Sequence, residues 1–263
     1  MKIYIIQDEE GSAGVVRWEE KRAEGQTREA LLEMTLEVNA AVEGALQAGA
    51  TEVYVHESHP FVYSELHRDV RCVRGHWIPL IDSSYAGVFF VGQHARARTV
   101  NGVLAHSYSS KAIREMRLND QPIGEMGFLA TLAGRHGVPV GLVTGDRATT
   151  EEARQLLRDV ETVAVKEGLG VTSAVCLSPA RAQEMIRQAA RRATERFQRR
   201  DFPPYVVNPP FALTIDFLRT DVAERCSVFP GVEQLDITTV RYTSKEFMDI
   251  CKFRRFQAMV NWF

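Results

Sequence analysis

The chain has 263 residues, 45% of them hydrophobic, and a formal net charge of −2. That length can bury one large core or two modest ones. The near-neutral balance gives no global drive toward nucleic acid or a membrane surface. No apolar run is long enough to span a bilayer, and Met1-Lys2 reads as leading straight into a strand, so no signal peptide is expected. The four cysteines, Cys72, Cys176, Cys226 and Cys251, form no CxxC pair. Their scatter fits core filler in a reducing compartment, so a cytoplasmic location is expected.

Ile3-Tyr4-Ile5-Ile6 reads as a buried first strand, ending in Gln7-Asp8-Glu9-Glu10-Gly11. A loop rich in charge and glycine covers 9–26. Thr27 is placed to cap a helix running to about Gln47. Leu31, Met34, Thr35, Val38, Ala41, Val42 and Ala45 make its buried stripe, and Gly49 supplies the stop. Glu52 to Val55 forms the second strand and leads into His56-Glu57-Ser58-His59-Pro60. Residues 61–84 read as short irregular pieces. Gly87 to Gly92 is a buried strand ending at Gln93-His94. Residues 103–118 read as extended, followed by a turn through Leu118-Asn119-Asp120-Gln121-Pro122.

A helix opens at Gly124-Glu125 and ends near Gly134. Val138 to Thr144 is a buried strand, followed by Gly145-Asp146-Arg147. Thr149 or Thr150 is the expected cap of the next helix. Short strands at 161–166 and 173–177 precede a long helix that begins at Ser178-Pro179. Asp201-Phe202-Pro203-Pro204 closes that helix. A strand at 211–218, a short helix near 221–225, a strand at 235–242 and a last helix complete the chain. Thr243-Ser244-Lys245-Glu246 has capping-box spacing for the last helix. No internal repeat is visible. The alternation predicts an α/β fold, a three-layer sandwich on a largely parallel sheet. Its metal-binding core spans 1–200. A smaller α+β portion, 201–263, packs on the core, unless 1–263 forms one domain.

Asp8, Glu10, His59, His94 and Glu125 come from separate segments, three ending strands and one opening a helix. In an open α/β sheet the strand exits are where ligands bind. If the first strand persists, Asp8 and Glu10 project the same way. Carboxylates crowded there need cations between them, or one must take a proton. Oxygen donors with imidazole nitrogens suit zinc, and also manganese or cobalt. Five such groups exceed the need of one structural zinc and match two ions roughly 3.5–4 Å apart. Taken singly, each is an ordinary polar residue; the joint pattern points to a metal site.

The local words add a resemblance. Asp8-Glu9-Glu10-Gly11, Glu57-Ser58-His59, Gly92-Gln93-His94-Ala95-Arg96-Ala97, Gly102-Val103-Leu104-Ala105-His106-Ser107 and Asn119-Asp120-Gln121-Pro122-Ile123-Gly124-Glu125-Met126-Gly127 occur in that order. Together with Gly145-Asp146-Arg147 and Leu177-Ser178-Pro179-Ala180 they resemble the zinc D-aminopeptidases encoded with bacterial dipeptide transporters. The resemblance implies an α/β peptidase with two zinc ions per subunit. It also implies a homodecamer of two stacked pentameric rings around a chamber, with short peptides as substrate. It makes Asp8 the bridging carboxylate, assigns Glu10 and His59 to one metal, and assigns His94 and Glu125 to the other. His106 matches the family's catalytic histidine, proposed there as nucleophile. General acid or transition-state stabiliser serves equally well for an imidazole near two metals. Gln7, Glu9, His56 and Glu57 depart from the family's usual residues beside the ligands, which bears on metal choice or substrate.

Other features take plainer readings. His56 precedes His59 by three residues and points to another face of a strand exit. His67, His76 and His136 match no motif word. The arginines of the 178–200 helix read as a solvated face or subunit contact. The aromatic end, Phe247, Phe253, Phe256, Trp262 and Phe263, reads as core or interface. Gly11 and Gly14 do not open a helix, so no dinucleotide loop is present. Three function classes remain: a metallo-aminopeptidase, a di-metal hydrolase of another amide or ester, and a non-catalytic ring-forming metal-binding protein. The ligand set with His106 favours an enzyme over the last.

Overall fold

The structure, a computed structural model, describes residues 1–18 and 24–260, and of residues 24–27 the backbone alone. The expected cap by Thr27 and the aromatic residues Trp262 and Phe263 lie outside the described side chains. In chain order the elements are β1 (Lys2–Gln7), α1 (Glu24–Gln47), β2 (Glu52–His56), β3 (Val70–Val73), β4 (Tyr85–Gln93), β5 (Ile113–Leu118) and β6 (Gln121–Pro122). They continue with α2 (Glu125–Arg135), β7 (Val140–Asp146), α3 (Arg147–Leu157), β8 (Glu161–Gly170), β9 (Ser173–Cys176) and α4 (Pro179–Arg199). The last are β10 (Phe211–Phe217), α5 (Thr220–Ser227), β11 (Val232–Gln234), β12 (Thr239–Ser244) and α6 (Phe247–Val260).

The chain divides into two compact units. The first takes in Met1–Ala95, Thr99–Leu104 and Ala133–Tyr205. Its sheet has seven strands in the order β3-β2-β1-β4-β7-β8-β9. All neighbours run parallel except β9, which returns antiparallel on β8. The expectation of a largely parallel central sheet is met. Ile3, Ile5, Val55, Phe89, Val91, Leu142 and Val165 face a core shared with α1 and α4. The stripe of α1 is buried as its spacing requires: Met34, Thr35, Val38, Ala41, Val42 and Ala45 are each 0% exposed. Because β1 lies between parallel neighbours, its C-terminal end opens beside those of β2 and β4, with Ile6 level with both His56 and Phe90.

The second unit comprises Arg96–Arg98, Ala105–Leu132 and Val206–Phe263. Its antiparallel sheet runs β11-β12-β10-β5-β6. Phe211, Phe217, Phe247 and Phe253 are each 0% exposed and fill its interior. This unit joins 105–132 to residues 206–263, most of the 201–263 segment that the sequence reading set apart, because β5 pairs with β10.

Three local details differ from the sequence reading. The cap of α3 is Asp146, whose carboxylate accepts from Thr149 N–H at 2.7 Å, not Thr149 or Thr150. The strand expected at 235–242 is broken, because the Asp236 carboxylate accepts from the N–H groups of Thr238 and Thr239 and closes a turn between β11 and β12. In 103–118 only β5 is extended; turns occupy much of what precedes it.

Candidate metal centre

β1 stops at Gln7, so Asp8 and Glu10 are carried by a turn and not by an extended strand. Asp8 N–H donates to Val91 O at 2.8 Å, Gly11 N–H to Gly92 O at 2.7 Å, and Ser12 N–H to Glu9 O at 3.0 Å. The turn therefore lies directly on the end of β4. A Cβ at Gly11 would stand 2.1 Å from Gln93 O, and one at Gly92, where φ is +74°, would stand 2.2 Å from Asp8 O. Only glycine permits both the approach and the left-handed backbone.

From below, the turn is held by two buried charges. Lys166 on β8 donates through Nζ to Glu10 O at 2.6 Å, Ser12 O at 2.7 Å, and Val15 O. Glu37 on α1 accepts from Ala13 N–H at 2.8 Å. Burial pushes the Lys166 ammonium down to about 8, and the charge of Glu37 resists that shift. Burial pushes the Glu37 carboxyl up to about 7, and the Ala13 hydrogen bond and Lys166 resist it. Neither residue was picked out from the sequence. The available signals were a lone lysine in an apolar strand and a glutamate inside the buried stripe of α1.

The turn brings three expected ligands together. His59 Nε2 lies 3.1 Å from Asp8 Oδ1 and 3.5 Å from Glu10 Oε2. One ligand atom from each of the three falls within 4.8 Å of the others. Donors ~2.1 Å from a tetrahedral zinc stand roughly 3.4 Å apart, so this set fits the ion. His94 follows β4, and its Nε2 is 3.4 Å from Asp8 Oδ2. Its Nδ1 faces Ala95 O at 2.9 Å, which turns Nε2 toward the carboxylate. Gln93 Nε2 donates to Asp8 Oδ2 at 3.0 Å. Burial pushes the Asp8 carboxyl up to about 7, and the charge of Glu10 adds to the shift, while His94 and His59 oppose it. A buried carboxylate strained in that way is relieved by a cation.

In the second unit, His106 Nε2 lies 3.7 Å from Glu125 Oε1 at the start of α2. Tyr108 N–H donates to the same oxygen at 2.8 Å. Tyr108 is fixed by Arg254, 3.8 Å above its ring, and by an edge contact with Phe128. The pair offers an imidazole and a carboxylate, able either to ligate or to hold a proton.

The model of peptidase family M55, described as D-aminopeptidase, matches residues 1–256. The chain belongs to that family. A D-aminopeptidase of Bacillus subtilis (strain 168) is 32% identical over 273 residues, covering 99% of this chain and 96% of that protein. The solved structure of the "Zn-dependent D-aminopeptidase DppA from Bacillus subtilis, a self-compartmentalizing protease" superposes with a TM-score of 0.92 at 30% identity, covering 100% of this chain and 98% of that one. The α/β architecture and the zinc aminopeptidase class expected from the motifs are met in this M55 member.

Other sequence candidates keep their plainer readings in the M55 chain. His76 Nδ1 meets Ile78 O at 2.7 Å. His67 lies against Asp69. Several arginines of α4 are paired with acids: Arg187 with Glu43 and Glu184, Arg191 with Glu195, and Arg192 and Arg196 with Glu161. Asp146 of the Gly145-Asp146-Arg147 word serves the scaffold. Besides capping α3, it accepts from Val103 N–H at 2.6 Å. Among the described residues no helix is long and apolar enough to cross a membrane.

Proposed function

We propose that the chain is a bimetallic zinc aminopeptidase that removes N-terminal residues, D-amino acids foremost, from short peptides. The observation that carries this reading is the convergence of Asp8, Glu10 and His59 at strand exits in a member of the M55 family. In the proposal Asp8 would be shared by two ions; Glu10 and His59 would complete one set of ligands, and His94 and Glu125 the other. The assignment of His94 and Glu125 follows the motif order, residue by residue. Manganese or cobalt would also suit these donors. When bound, zinc supplies an acidified water at neutral pH and a Lewis acid for the scissile carbonyl.

The chain's own residues do the rest. Gln93 donates to Asp8 Oδ2 and so fixes the carboxylate that would hold the ions. His106, buried beside Glu125, holds or moves a proton at the reacting peptide, or acts on it as nucleophile. The substrate's free amine and the developing oxyanion are the charges that such a site would steady. We place the enzyme in the cytoplasm, in keeping with four free cysteines. It acts there as a homodecamer of two pentameric rings, in line with the self-compartmentalizing relative.

The test is a panel of D- and L-residue peptides, with free and acetylated amino termini, given to zinc-loaded protein. Release of the free N-terminal residue is expected, fastest for D-residues, and His106→Ala should keep its zinc while losing roughly 10²–10⁴ in turnover. No cleavage of any free-amine peptide would end the reading. Loss of zinc from His106→Ala in step with activity would make His106 a ligand.

A further inference from the structure

The ligand His59 stands on a loop beyond β2 and is the most exposed of the three clustered donors, its side chain 28% exposed. Something must fix the direction of its ring. Behind it lies Glu9, 3% exposed, with Oε2 at 3.3 Å from His59 Nδ1. In front, Nε2 faces Asp8 and Glu10. Gln7 adds a second grip, its side-chain amide donating to the His59 carbonyl. The backbone N–H of Glu9 in turn donates to Asp8 Oδ1 at 2.9 Å. Gln7 and Glu9 therefore bracket His59, one at its backbone and one at its ring, while the intervening and following carboxylates face its Nε2.

We infer that Glu9 is a positioning residue: its carboxylate accepts from His59 Nδ1–H, selects the tautomer with a free Nε2 pair, and so tightens the metal site. An ionised carboxylate offers acceptors alone, so the proton between the two groups belongs on Nδ1. A carboxylate behind a ligating imidazole also makes the ring a better donor, and loss of such a partner typically weakens metal binding 10–100-fold. This inference rests on the zinc reading of Asp8, Glu10 and His59.

The experiment measures zinc dissociation constants by chelator competition for wild type, Glu9→Gln and Glu9→Met, together with the cobalt visible spectrum and the melting temperature of the metal-free proteins. One of the zinc sites should weaken about 10–100-fold in Glu9→Met. It should weaken to a lesser degree in Glu9→Gln, which keeps an acceptor oxygen. The cobalt band of that site should shift while metal-free melting stays the same. Zinc affinities within twofold of wild type in Glu9→Gln would overturn the inference, and that isosteric variant decides the case if Glu9→Met does not fold. If wild type itself binds no zinc, the metal reading falls and the role of Glu9 falls with it. If wild type binds and both variants match it, the role of Glu9 alone falls.

Discussion

His56 and His59 sit three residues apart and have opposite fates. His59 faces two carboxylates, whereas His56 ends β2 and is 6% exposed. Burial first, then the nearby His76, pushes the His56 imidazole down to about 4, against a smaller pull from Glu57. In the unfolded chain the same ring takes a proton below about 6.5. Acid therefore favours the unfolded state. The stability His56 contributes is present above pH ~6.5 and is lost as pH falls toward ~4. In chelator-treated protein, wild type should lose about 2 kcal/mol more than His56→Asn between pH 7 and pH 5. Urea unfolding at the two pH values measures this, and parallel losses would refute it. The motif words made His59 and His94 legible. Lys166, Glu37 and the role of Gln93 were not, because each acts on a turn distant in sequence and carries no local signature.

The turn of 8–12 is an element with little secondary structure of its own, and its shape comes from what it rests on. Lys166 satisfies the Glu10 and Ser12 carbonyls and, just beyond the turn, that of Val15, while Glu37 satisfies the adjoining Ala13 N–H. Replacing Lys166 by Met would leave those carbonyls buried without their donor and Glu37 without its cation. Leaving a buried acceptor without its donor in this way costs about 1–3 kcal/mol. Lys166→Met should therefore lower the urea midpoint of the metal-free protein and weaken zinc binding through a displaced Glu10. An unchanged midpoint would show that the brace is unimportant. At this scale the sequence was a fair guide where periodicity decided, as in α1 and α4. It failed where a side chain competed for the backbone: Asp146 displaced the expected threonine cap, and Asp236 broke a strand.

Across the whole molecule, the antiparallel sheet of the second unit was hidden from the sequence. Leu118 of β5 pairs with Leu213 of β10, a contact that no local pattern announces. The parallel sheet was easier, because alternating strands and helices have few other solutions. At one edge of that sheet, the β8–β9 hairpin leaves Leu169 67%, Val171 55% and Val175 63% exposed. An apolar edge strand invites pairing with another copy, and a closed ring covers such a surface without a growing end. Light scattering at micromolar protein should give a ring-sized mass, and Leu169→Lys with Val175→Lys should reduce it. A monomer mass for wild type would refute the assembly. A chamber should also spare folded proteins while short peptides are cut, and digestion of folded proteins would contradict that filter.

The central claim is that Asp8 bridges two ions, and zinc content tests it most directly. After reconstitution with zinc and removal of the excess, elemental analysis should find two ions per wild-type chain and fewer than one in Asp8→Ala, with the fold retained. Zero or one ion in wild type, or two ions still held by Asp8→Ala, would contradict the account.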